Sequence, residues 1–125
     1  MAYAKNIMLG GISAGAADAI GGQVASVSGT PAGTQATALV VSADLNYVTF
    51  TSGSCAVRLF AGGPGDSTTV INAGSSAMFV WPPSGVAFQG TATNAAVTVG
   101  VSSNATFTAI SAVTWIVNVG NAGTA

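Results

Sequence analysis

From residue 37 onward the chain is a succession of short runs rich in Val, Ile, Thr, Phe or Trp, each closed by Gly, Pro, Asn or Ser. The runs fall at 37–41, 45–51, 55–60, 68–71, 77–81, 86–89, 95–101, 106–110 and 114–119. β-Branched and aromatic side chains pack well on a pleated surface, and the bounding residues supply turns, so each run predicts a strand. Several alternate. Val57 and Leu59 lie on the opposite face from Arg58 and Phe60, and Val97, Val99 and Val101 share a face against Thr98 and Gly100. Short strands at this spacing predict an all-β domain over 37–125, an antiparallel β-sandwich or barrel of jelly-roll type. The run ending at Trp81 meets Pro82-Pro83-Ser84-Gly85, a stiff turn, because proline cannot continue a central ladder.

Residues 1–36 read differently. They are rich in Ala, Gly and Ser without a sustained period, and the piece 12–20 is too short to hold a helix without packing. This stretch is expected to be an N-terminal arm or an extended strand leading into the domain, with a turn at Ser28-Gly29-Thr30-Pro31-Ala32-Gly33.

Half of the residues are apolar, enough for a core without staples in a chain of 125. The surface is the unusual part. Only 4% of the chain is charged, namely Lys5, Arg58, Asp18, Asp44 and Asp66, against roughly 25% in a typical soluble domain. Little repulsion keeps copies of such a surface apart, so association with neighbours is expected. A membrane is not the expected partner. The longest apolar stretch, 7–27, is broken by Gly10, Gly11, Gly15, Asp18, Gly21, Gly22 and Gln23, and no run of about 18 apolar residues occurs. Lys5 followed by apolar and then small residues has a faint secretory look, but the glycines argue against a signal peptide.

Catalytic chemistry is poorly supplied. The chain has no His and no Glu, so neither Cys55 nor any Ser or Thr has an imidazole partner. The three aspartates lie far apart in sequence, and the ligands for zinc are missing. A lone carboxylate at Asp66, beside the glycines of the 62–65 loop, makes a poor calcium site and reads as a turn residue, with Arg58 as its candidate partner. Two cations in all are too few to track a phosphate backbone. The glycine pairs lack the Walker lysine and the dinucleotide-binding spacing. The expectation is a non-enzyme with no cofactor, no metal and no nucleic-acid partner. Cys55 allows no internal disulfide and reads as a buried thiol.

Several pieces in series resemble a tract found in small bacteriophage virion structural proteins. They are Gln35-Ala36-Thr37-Ala38-Leu39, Gly65-Asp66, Val70-Ile71-Asn72-Ala73-Gly74-Ser75-Ser76-Ala77 and Phe79-Val80-Trp81-Pro82-Pro83-Ser84-Gly85. Next come the strand at 94–99, Ala105-Thr106-Phe107-Thr108-Ala109-Ile110-Ser111 and Val113-Thr114-Trp115. The resemblance covers residues 35–117 and brings no catalytic or binding residues with it. It implies a β-domain repeated on a virus particle.

On that basis the expected role is capsid decoration, or cement, on the virion surface. The expected partners are the major capsid protein and the chain's own copies, as a homotrimer. Tyr3, Ile7, Met8, Leu9 and Ile12 of the arm, with Trp81 and Trp115, are the candidate assembly contacts. Two other readings stand beside this one: a tail or head-fibre module that binds a host carbohydrate, and a carbohydrate-binding module unrelated to phage. Both require Trp81 or Trp115 to be exposed beside polar groups, and a tail part would be present in far fewer copies.

Overall fold

The computed structural model describes residues 24–31, 33–50 and 55–121. Eleven strands account for its regular structure, and no helix occurs among the described residues. The strands are β1 (Val24–Ser28), β2 (Thr30–Pro31), β3 (Leu39–Val41), β4 (Leu45–Thr49), β5 (Cys55–Leu59) and β6 (Ser67–Asn72), then β7 (Met78–Trp81), β8 (Ala87–Phe88), β9 (Val97–Val99), β10 (Ser103–Ser111) and β11 (Thr114–Asn121).

They form two sheets. One has the order β1-β4-β6-β10-β11-β8, and the other the order β2-β5-β7-β9, with β3 also paired to β5. The all-β expectation holds. The antiparallel sandwich does not describe the pairing, because β1–β4, β4–β6, β3–β5, β5–β7 and β8–β11 run parallel. In its first half the chain alternates between sheets, so β1, β4 and β6 stack in one while β3, β5 and β7 stack in the other. That path is solenoid-like. It closes with antiparallel strands: β9 on β7, β10 on β6, and the β10–β11 hairpin.

The core lies between the sheets. Val48, Val70, Phe107 and Trp115 meet Val57, Leu59, Met78, Val80 and Val99. Trp115 is fully buried, stacked edge-on against Phe60 at 5.5 Å, while Phe88 tilts against Phe107 at 5.4 Å. Two buried asparagines hold the passages between sheets. Asn46 Nδ2 donates to the carbonyl of Ala43 at 3.0 Å and to Thr68 Oγ1 at 2.8 Å, fixing the turn that leads from β3 into β4. Asn72, at the end of β6, binds the turn into β7 in the same way.

Part of the stretch expected as an arm or entry strand is seen as strand. β1 pairs with β4 and β2 with β5, so residues 24–31 are built into both sheets. The remainder of the expected arm, 1–23, lies outside the described residues. Where β1 passes into β2, Gly29 is buried so closely that a β-carbon there would fall onto Cys55 Sγ, which leaves glycine as the residue that fits.

The Cys55 thiol is fully buried, and desolvation raises its pKa from 9.0 to about 11. Because the folded state favours the neutral thiol, this contribution to stability is complete below pH 9 and is lost as pH rises to about 11. At ~1.4 kcal/mol per pH unit, the loss approaches 2–3 kcal/mol. Urea midpoints are expected to fall across that window in the native sequence and to fall less in Cys55→Ala, the difference isolating the thiol from other groups that titrate there. A thiol reagent applied at pH 8 is expected to label Cys55 only on unfolding.

Candidate assembly surface

The outer face of the six-stranded sheet is set by strand alternation, which turns one residue in two away from the core. Register places Val24, Leu45, Thr69, Thr106 and Asn118 in one row across it, and Ser26, Tyr47, Ile71 and Asn104 in the next. Threonine hydroxyls link neighbouring strands, as in Thr69 Oγ1 to Thr106 Oγ1 at 3.0 Å. Neither row contains a charge, and Tyr47 stands 46% exposed among these residues.

The second sheet carries a different outer face. Val40, Ala56, Arg58, Phe79, Trp81 and Thr98 point away from the core. Residues 33–38 fold back over part of it. The Arg58 guanidinium donates to the carbonyl of Gln35 at 2.9 Å, and Trp81 Nε1 donates to that of Gly33 at 3.3 Å. Gln35 Nε2 in turn donates to the carbonyl of Pro82 and to Asn94 Oδ1. Asn94 adopts a left-handed φ of 65°, which asparagine tolerates, and its Oδ1 also accepts from the Gly85 amide at 2.7 Å. This cover buries Ala56 completely although it faces outward, and leaves Phe79 40% exposed beyond it.

Beside this cover Val40, Arg58, Leu59, Phe60, Ala61, Pro83 and Ser84 line an open pocket of about 300 Å³. Arg58 and Ser84 are its only polar side chains, which is less convergent polarity than a specific small-molecule site displays. Asp66 shapes its own loop: Oδ2 accepts from the Gly63 amide at 2.8 Å, and the Gly65 amide reaches the carbonyl of Ala109. Among the described residues no three His, Cys, Asp or Glu side chains converge.

The sequence-predicted contacts separate in the structure. Trp81 is half-buried under the 33–38 cover. Trp115 is enclosed in the core and has no exposed surface to offer a neighbour. Tyr3, Ile7, Met8, Leu9 and Ile12 lie outside the described residues. Phe79, which from sequence reads as a core or interface anchor, and Tyr47, which sequence does not single out, are large exposed side chains; the period of their runs does not say which face meets the core. Comparison with protein-family models, curated proteins and solved structures finds no match for this chain.

Proposed function

We propose that the chain is a structural subunit of a bacteriophage virion that decorates or cements the capsid, bridging neighbouring capsomers and associating with its own copies as a homotrimer. The observation that carries this reading is the uncharged outer face of the six-stranded sheet, where threonine, serine and asparagine alternate with Leu45, Tyr47 and Ile71. A face of this kind docks by burying apolar area and exchanging neutral hydrogen bonds, with little dependence on salt. Each contact is weak, and many copies on one lattice act together. The reading draws further support from the phage-like tract over 35–117.

The test is to mix the purified chain with capsid shells of its virus and measure copies bound per shell after sedimentation. Saturation in proportion to the number of capsomers is expected, undiminished in high salt. Binding of only a few copies per particle would favour the tail or fibre reading, and no binding would overturn the cement role.

A further inference from the structure

The six-stranded sheet ends on β1 at one side and on the two-residue β8 at the other, and beyond β8 the outward main-chain groups of β11, like those of β1, have no partner among the described residues. The carbonyls of Val113, just before β11, and of Trp115 on it accept from the amides of Ala87 and Gln89 at 3.0 and 2.8 Å. Main-chain groups alternate sides along a strand, so the N–H and C=O of Val117 and Val119 point the same way, beyond the end of β8. At the opposite edge the Gly29 amide donates to the carbonyl of Thr49 on β4. The same alternation turns the main-chain groups of Val24, Ser26 and Ser28 away from β4.

Sheet edges are normally guarded by charge, proline or a bulge. Val24–Ser28 carries no charged residue and no proline, and neither does β11. Val119 adds a second signal. It pairs with the fully buried Ala105 and so lies on the core-facing side, yet it is 61% exposed, with no strand beside it among the described residues.

We propose that the β11 edge of one copy pairs with the β1 edge of a second, so that the six-stranded sheet continues from subunit to subunit around a closed ring. The occupant is a second copy because the chain itself carries both complementary edges. Two-fold pairing of β11 with β11 would leave every β1 edge open, whereas head-to-tail pairing in a closed ring uses both and leaves only the short outer side of β8. It also sets the core-facing Val27 of the neighbouring β1 beside the seam that Val117 and Val119 extend. The inference rests on the proposed self-association, and supplies its surface.

Cross-linking tests it in the full chain. Ser26→Cys and Asn118→Cys place thiols on the same outer face, four strand spacings or about 19 Å apart within one copy. The native Cys55 is buried and does not compete. With a short bismaleimide, the double variant is expected to give linked oligomers up to the ring number, and each single variant none. Val119→Pro removes an outward N–H without touching the ladder to β10, and is expected to lower the light-scattering mass to that of a monomer with an unchanged circular dichroism spectrum. Val119→Lys, a charge placed on the same edge, is expected to do likewise. Linked dimers from either single variant would establish two-fold pairing and overturn the head-to-tail seam while leaving self-association intact. A native chain that is monomeric and unlinked at every concentration would overturn the seam, and capsid binding would then decide the decoration role separately.

Discussion

Trp115→Ala is expected to cost about 3–5 kcal/mol of folding free energy, the range for truncating a large buried aromatic. Trp115 sits on β11 with no exposed surface, opposite the small Ala109 and beside Phe88 of β8. Phe60 meets its ring edge-on, and the backbone at Gly62 closes over its Cζ2 atom. The strands around this ring are tied by main-chain ladders and cannot collapse into the space it leaves, so the cavity penalty adds to the lost transfer energy. A domain of this size is stable by about 5–15 kcal/mol. The variant therefore forfeits a large share of its margin, and with a urea slope of 1–3 kcal/mol/M its midpoint is expected to fall by roughly 2 M. Trp115→Phe is the informative control. The indole Nε1 is buried without a hydrogen-bond partner among the described residues. Phenylalanine keeps most of the packing and removes that unmatched donor, so its loss is expected to stay below about 2 kcal/mol. Equal losses in both variants would mean that ring volume is not what Trp115 contributes.

All nine runs read as strands contain strands of the structure, because side-chain alternation and turn residues are local signals. Val57 and Leu59 face inward, as their spacing predicts. Direction and pairing were not legible. A strand paired parallel shows the same period of two as one paired antiparallel, and nothing in the run 45–51 says that β6, rather than β5, lies beside it. β1 and β2 are legible only as an arm or extended entry strand without bounds, because Val-Ala-Ser-Val-Ser has no clear apolar period and lies on an edge where little is buried. Val101 ends its pattern wrongly: β9 stops at Val99, and Val101 lies exposed in a turn with Ser102 at φ 57°. Low charge in the sequence predicts assembly without naming a face, and the face proposed for it is defined by the register that puts Tyr47 beside Ile71. Tryptophan suits interfaces and cores alike, so sequence alone does not tell a contact at Trp115 from a core position.

Asn72→Ala is expected to be nearly as costly as the loss of Trp115, through polarity and not volume. Asn72 is 1% exposed. Its Nδ2 donates to the carbonyls of Ser76 at 2.9 Å and of Val99 and Gly100 at 3.0 Å, and its Oδ1 accepts from the Gly74 amide at 2.9 Å. One side chain thus ties the turn from β6 into β7 to the end of β9, joining the two sheets where the chain changes layer. Alanine leaves these groups buried without their partner, at about 1–3 kcal/mol for each that water cannot reach. If two of them stay dry, the total is about 2–6 kcal/mol. Asn72→Asp separates the amide's role from its shape. A carboxylate of the same size can still accept from Gly74, but faces three carbonyls with no donor when ionised. Burial and those carbonyls favour its neutral form, so its pKa in the folded chain is expected to rise above the unfolded value of about 3.9. By linkage the variant is then most stable below that value and loses stability as pH rises through the folded pKa, whereas Asn72→Ala shows no such added dependence. Urea midpoints of the two variants between pH 3 and 8, each referred to the native chain, make the comparison. Curves that ran parallel throughout would mean that the Asn72 amide is not what joins the sheets.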